Sequence, residues 1–377
     1  MSDGPTGRQP AGPRPAFPVA DHAARRERAR ARLADHGVDG LLVTAPANVR
    51  WLTGFSGSNG QVLLAADPGE DRLVTDHRYE ERAAAEAPGI AVALTRDPLS
   101  VAVPTAADRL GVEAEHLAWG EARRWQQRAD EQGRTLVGTE GLVEALRVVK
   151  DDAELARLAA ACAFTVDALE WLFAEVVAVG RTERELARVL ERRFVDLGAD
   201  AVAFDSIVAG GPNAAVPHHA PTDRALRPGD LLTVDCGALV EGYHADCTRT
   251  VAIGHLDGDL ARVYVAVEEA QARGRAAAVA GATGGEVDAA CRDHLASEGL
   301  GEAFLHGTGH GVGLDIHEAP AVAKGSTATL AAATALTVEP GAYLPGLGGV
   351  RIEDTLVVTA DGPPTVLTPA PRELRIL

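Results

Sequence analysis

The stretch Leu231–Thr250, LLTVDCGALVEGYHADCTRT, decides how the chain is read. It reads as two short strands joined by a turn containing Gly242. Side chains alternate along a strand. Leu231, Thr233 and Asp235 therefore share a face of the first strand, and His244, Asp246, Thr248 and Thr250 share a face of the second. Pairing as a hairpin aims Asp235 and Asp246 into one space. Two carboxylates within a hydrophobic run repel each other unless a positive charge stands between them. A metal cluster is expected, with later segments supplying its other ligands. Cys236 and Cys247 each follow one of these aspartates and face the opposite way, as small core residues rather than ligands.

Three later segments offer ligand-type side chains. His310 lies in HGTGHGVGLDIHEAP (306–320), where interleaved glycines let the backbone approach a ligand closely. Glu339 lies in ALTVEPG (335–341), on the face of Thr337. Glu353 lies in GGVRIEDTLVV (348–358), on the face of Arg351 and Thr355, while Asp354 faces the other way as a structural carboxylate. Taken singly, each has an ordinary reading as a solvated turn, wet-face or structural residue. Taken together they differ, because Glu339 and Glu353 sit among aliphatic residues where a free carboxylate is costly. Four carboxylates and one imidazole suit two divalent ions, with oxygen-dominated ligation fitting Mn, Co, Fe or Zn. Two shared carboxylates would hold such ions about 3.5–4 Å apart with a hydroxide between them, which is hydrolytic machinery.

The rest of the chain sets the context. Its 377 residues favour two domains over one. A hydrophobic content of 46% with 24% charged residues is that of a globular protein. The net charge of −18 argues against nucleic acid or an anionic membrane as the main partner. No stretch approaches 18 apolar residues. The Pro-, Gly- and Arg-rich Met1–Val19 lacks an apolar signal-peptide core and is expected to be a disordered lead-in, with a cytoplasmic enzyme as the default. Residues 20–145 read as a small α/β domain without a G-x-G-x-x-G nucleotide loop. Its segment Pro46–Gly60, PANVRWLTGFSGSNG, reads as a shaped loop. Residues 150–377 read as α+β. Helices are predicted over Asp151–Phe173, from a Thr182/Glu185 capping box to Gly198, over Asp259–Ala280 and over Glu286–Ser297. Strands are predicted at 204–208, 335–339 and 350–359.

With these motifs in place, residues 231–355 resemble the catalytic domain of the pita-bread metallopeptidases, the family of methionine aminopeptidase, aminopeptidase P and prolidase. The matching positions are Asp235 in VDCG, Asp246 in HADCTRT, His310 in GTGHGVG, Glu339 in VEPG and Glu353 in RIEDT. NVRWLTGFSGSNG and TDHRY resemble the N-terminal domain of the proline-specific branch, which includes the creatinase-like proteins. Creatinase itself uses no metal and is disfavoured by the full ligand set. The resemblance implies two divalent ions (Mn, with Co, Zn or Fe as alternatives), with Asp246 and Glu353 as shared ligands and Glu339 as general base. It implies His317 as the stabiliser of the developing oxyanion, His218 of the "PH" loop as the residue positioning the peptide, and Arg351 as support. His219 stands where the family more often has a small residue, so the choice between His218 and His219 stays open, with His218 favoured. His306 is taken as structural. Asn48, Trp51 and TDHRY are expected to reach a catalytic pocket, that of a partner subunit in a homodimer or larger homo-oligomer. The implied activity is an Xaa-Pro aminopeptidase acting on peptides with proline at the second position. An Xaa-Pro dipeptidase (prolidase) is the alternative. A metal-free binding protein or another hydrolase or lyase on this scaffold is a remote one.

Overall fold

The computed structural model describes residues 16–102, 108–256 and 258–377, and the chain divides into two compact units. Residues 1–15, most of the expected disordered lead-in, lie outside the described residues. Phe17 and Pro18 depart from that expectation. Arg157 stacks on the Phe17 ring at 5.1 Å and donates to the Pro18 carbonyl, because the ring fills an apolar patch beside Leu158 and Ala161. Among the described residues no helix is long and apolar enough to cross a membrane.

The unit Val19–Arg147 is built on a six-stranded mixed sheet, in the order Ala91–Leu94, Arg72–Thr75, Gly60–Leu64, Gly40–Val43, Arg109–Glu113, Thr135–Thr139. Antiparallel pairs at its centre are flanked by parallel pairs on both sides. The Pro46–Gly60 segment is not the loop expected from its glycines and asparagines. Pro46–Thr53 is a helix with proline in its first turn, closed by Gly54 in the left-handed region. Its N-terminus has no local cap. Instead the Glu113 carboxylate, far off in sequence, accepts from the Thr44 and Ala45 amides and from Asn48 Nδ2. A second correction follows. Asn48 and Trp51 are fully buried within this unit, Asn48 accepting from Arg147 and Trp51 lying under Arg25 and Arg28. Both side chains are committed to partners within this unit rather than exposed as the expectation requires.

In the unit from Val148 to Leu377, three helices start at capping boxes: Asp151/Glu154 for Asp152–Trp171, Thr182/Glu185 for Glu183–Leu197 and Thr283/Glu286 for Gly284–Ser297. Two helix pairs cover the sheets. Asp152–Trp171 and Glu183–Leu197 pack Leu169, Leu186, Leu190 and Phe194 against Val208, Val234, Cys236 and Cys247. Gly258–Ala277 and Gly284–Ser297 pack Val267, Ala270, Val287 and Cys291 against Leu336, Val338 and Leu356. The cysteines are therefore core residues, as alternation requires.

Leu231–Cys236 and Cys247–Ala252 pair antiparallel, with Asp235 opposite Thr248 and Thr233 opposite Thr250. The two threonine hydroxyls lie 3.0 Å apart, which confirms the shared face. The strands do not run on into a simple hairpin. They break at Gly237 and at Ala245–Asp246, and the connecting Ala238–Val240 and Tyr243–His244 form a short hairpin in a separate sheet with Ala201–Val202. The break needs glycine, since a Cβ on residue 237 would lie 1.8 Å from the Ala245 carbonyl oxygen. The expected strand 350–359 is likewise two strands. Gly348–Arg351 pairs with Gly341–Leu344, and Asp354–Val357 pairs with Ala335–Val338. The chain changes sheets at Ile352–Glu353, where the Glu353 amide donates to the Thr248 carbonyl. The first predicted strand also shifts, to Ile207–Gly210, leaving Phe204–Ser206 unpaired along a cleft. Gly237→Ala is expected to lower stability by about 2–3 kcal/mol, the cost of forcing extra atoms into a packed site. Urea unfolding checks this, and an unchanged midpoint would contradict the close approach.

Candidate metal centre and active site

The breaks in the strands are where the ligand-type side chains stand. Asp235 is the penultimate residue of one strand, Asp246 precedes its partner, and Glu353 sits where the chain passes between sheets. Carboxylate oxygens of these three buried residues all lie within 4.8 Å of one another. His310 comes from the short strand Gly309–Gly311, and Glu339 directly follows the strand Ala335–Val338. His310 Nε2 is 3.7 Å from Asp246 Oδ2 and 3.4 Å from Glu339 Oε1. The five side chains singled out in the sequence thus converge. Gly309 permits the convergence, because a Cβ there would lie 2.0 Å from the Thr337 carbonyl oxygen.

The electrostatics of the cluster call for a cation. Burial, then the charge of neighbouring carboxylates, pushes the Asp246 and Glu353 carboxyls well above the usual carboxylate range. Burial also pushes Glu339 up to about 8, with Arg351 pulling the other way. Asp235 Oδ1 and Glu353 Oε1 are buried with no hydrogen-bond partner. Buried carboxylate oxygens are costly unless paired, protonated or bound to metal. The donor set, four carboxylates and an imidazole without a thiolate, fits hard or borderline divalent ions. His310 is oriented for the same purpose. Its Nδ1 faces the Gly311 carbonyl at 3.0 Å and must donate there, which leaves Nε2 as an acceptor facing Asp246 and Glu339. Burial holds its pKa down at about 4, so it is the neutral, ligating form that the site favours.

Around the cluster, Arg351 carries most of the support. It donates from Nη2 to Asp235 Oδ2 at 2.7 Å, from Nε to Thr248 Oγ1, and from Nη1 to the Tyr343 hydroxyl and the Pro217 carbonyl. Thr248 in turn donates to Glu353 Oε2 at 2.8 Å. Asp354 faces away, accepting from Arg249 and Gln271 in the interior. These residues line or flank a cleft of about 830 Å³, whose walls also include Phe204, Ile316, Pro217, His218, His219, His306 and His317. The His317 ring packs edge-on to His310, with centroids 4.4 Å apart. His218 and His219 are distinguished by their partners. His219 Nε2 lies 2.9 Å from the buried carboxylate of Glu183, whereas the His218 ring is exposed in the cleft.

Some site residues did not stand out in the sequence. Thr248 was visible only as a face-mate of Asp246. Tyr343 carried no motif of its own, yet its hydroxyl joins Arg351 to His306. His306 was read as structural, and its ring lines the cleft, with Nε2 2.8 Å from that hydroxyl and burial holding its pKa down at about 4. Since His306 Nδ1 faces the Gly307 carbonyl, Nε2 accepts and the tyrosine donates.

Residues 156–360 match metallopeptidase family M24, and residues 25–149 match the creatinase/prolidase N-terminal domain. The chain is 38% identical over 349 residues to an uncharacterized peptidase, YqhT, of Bacillus subtilis, covering 90% of this chain and 96% of that protein. The solved structure of an Xaa-Pro dipeptidase from Bacillus anthracis is similar with a TM-score of 0.90 and 36% identity, over 95% of this chain and all of that one. An X-Pro aminopeptidase from Thermotoga maritima is similar with a TM-score of 0.84 and 32% identity, over 93% and 99%. Among the other similar proteins, the names dipeptidase and prolidase are more frequent than aminopeptidase. With a creatinase/prolidase-type N-terminal α/β domain followed by a pita-bread α+β domain that brings Asp235, Asp246 and Glu353 together, the chain belongs to metallopeptidase family M24 and is a metal-dependent hydrolase.

Proposed function

We propose that this metallopeptidase is an Xaa-Pro dipeptidase, cleaving the bond between a first residue and a second-position proline. The observation that carries hydrolysis is the carboxylate cluster with two unpartnered buried oxygens beside a neutral His310. The preference for dipeptides is supported by the similar proteins, most of which bear dipeptidase or prolidase names. It replaces the aminopeptidase reading favoured from sequence, which keeps one observation on its side. A cleft of about 830 Å³ is roomier than a dipeptide requires. The same reading takes manganese as the ion, a homodimer or larger homo-oligomer as the assembly, and the cytoplasm as the compartment.

Asp235, Asp246, His310, Glu339 and Glu353 would hold two divalent ions. When bound, the ions supply a water activated at neutral pH and an electrophile for the scissile carbonyl. Glu339, at the cleft edge of the cluster, takes the proton of the attacking water. It then delivers that proton to the proline nitrogen as the C–N bond breaks. This delivery matters because the bond is a tertiary amide, whose nitrogen has no hydrogen of its own. His317 donates to the carbonyl oxygen as negative charge develops there. His218 positions the peptide from the opposite wall. Arg351, fully committed to Asp235, Thr248, Tyr343 and Pro217, holds the cluster in register rather than meeting substrate.

Three outcomes are expected. With manganese, kcat/KM for Ala-Pro should exceed that for Ala-Pro-Ala and Ala-Pro-Ala-Ala by about 100-fold. Equal or better cleavage of the longer peptides would instead make the enzyme an aminopeptidase. Glu339→Gln should keep cooperative unfolding while kcat falls by about 10²–10⁴-fold, and near-normal turnover would place the base elsewhere. The third outcome concerns pH. Without metal, the folded Glu339 carboxyl titrates at about 8 against an ordinary 4.5, and Asp246 and Glu353 shift the same way. The fold favours their neutral forms, and the share of this stabilisation due to Glu339 is complete below about pH 4.5 and is lost as pH rises through about 8. The Tm advantage of manganese-loaded over stripped protein should therefore widen from about pH 5 to about pH 8. A gap that stays flat would contradict the assignment of these groups to the metal.

A further inference from the structure

Glu183 opens the helix Glu183–Leu197, and its side chain is fully buried. Five donors converge on its carboxylate. Oε1 accepts from the Gly210 amide at 2.8 Å and from Asn213 Nδ2 at 2.9 Å. Oε2 accepts from His219 Nε2 and the Thr222 amide, both at 2.9 Å, and from Thr222 Oγ1 at 2.6 Å. All five belong to the segment Gly210–Thr222, which forms one wall of the cleft. That segment carries His218, whose side chain makes no hydrogen bond among the described residues. The position of its imidazole is therefore left to the backbone. Here the backbone is clamped on both sides of His218. Arg351 Nη1 holds the Pro217 carbonyl at 3.3 Å, and Glu183 holds the His219 ring.

We propose that Glu183 is a positioning residue: by gathering five donors from Gly210–Thr222 it sets where the His218 imidazole stands in the cleft. This rests on the assignment of His218 to substrate in the reaction above. A buried charge kept for stability alone is a poor device, since apolar replacements of buried ion pairs often stabilise. A carboxylate is, however, the one side chain that can only accept, and every group facing it donates. Glutamine at 183 would turn an NH₂ group toward donors. Although burial pushes the Glu183 carboxyl up, the hydrogen bonds from Gly210, Thr222, His219 and Asn213 outweigh it and leave the pKa below the ordinary value. The anion is thus held in place through the neutral pH range.

The test is a double-mutant cycle. Glu183→Gln and the milder Thr222→Val are each made alone and combined with His218→Ala, and kcat/KM is measured on Ala-Pro with manganese content followed by elemental analysis. The expected result is a loss of about 5- to 50-fold for each variant in the native background and less than about twofold when His218 is already alanine. Metal content should not change. The same factor in both backgrounds, or no loss in either folded variant, would overturn the proposal by showing only a structural role or none. Should Glu183→Gln fail to fold, Thr222→Val decides alone. Histidine-selective NMR of manganese-free protein separates this inference from the substrate reading. The His218 ring should give one sharp signal in the native protein and a broadened or split one in Thr222→Val, whichever peptide is cleaved. An unchanged His218 signal in Thr222→Val would sink the positioning role even if Ala-Pro proves to be the substrate.

Discussion

Everything in the catalytic unit answers to one constraint: negative side chains are gathered, largely buried, at the floor of one cleft. Asp235, Asp246 and Glu353 bring their oxygens within 4.8 Å of one another, and Glu339 stands close by beside His310. Arg351 covers a single oxygen of Asp235. Its one positive charge leaves most of the repulsion unanswered, and the cost appears as raised carboxyl pKa values and as two oxygens without partners. Two dications would cancel that charge, and without them the chain must keep protons on groups whose chemistry needs them ionised. The shape of the fold follows from serving this cluster. Each carboxylate of the cluster stands within one residue of a strand end or at a change of sheet, where the backbone can turn and aim it.

Holding such a cluster requires rigid backing, and two arginines provide it from opposite faces of the same strands. Arg351 faces the cluster and ties Asp235 to Thr248, Tyr343 and the Pro217 carbonyl. Arg249 faces the interior, pairs with Asp354 at 2.8 Å and donates to the Glu353, Thr368 and Ala370 carbonyls. Strand alternation makes this division possible. Glu353 and Asp354 are neighbours in sequence, yet one completes the carboxylate cluster while the other anchors the C-terminal segment through Arg249 and Arg372. A buried charge that is fully hydrogen-bonded is tolerable, and an unpaired one is not. That difference separates Asp354 and Glu183 from the carboxylates of the cluster.

The sequence was most legible where chemistry is local and periodic. Alternation placed Asp235 opposite the Asp246–Thr248 face, sent Cys236 and Cys247 into the core and separated Glu353 from Asp354. The Thr182/Glu185 capping box located one helix start. Legibility failed where a distant residue decides the local structure. Pro46–Thr53 reads as loop because its N-terminus contains no capping side chain; the cap is Glu113, 68 residues beyond Ala45. Asn48 and Trp51 look like surface recognition residues until Arg25, Arg28, Arg147 and Glu113 are seen enclosing them. The strand 350–359 looks continuous because nothing in its pattern reports that Arg351 and Asp354 pair in different sheets. Tyr343 and Thr248 join the site through side-chain contacts that no spacing rule encodes.

If this crowding of carboxylates exists to hold metal, the folded protein must retain ions, and its ion content shows whether it does. Protein equilibrated with manganese, freed of unbound ion by gel filtration and analysed for metal should carry about two ions per chain. An Asp246→Asn, Glu353→Gln double variant of the same fold, confirmed by circular dichroism, should carry fewer than about one. Native protein that folds but retains no ion, or a double variant that retains as much as the native chain, would contradict the account.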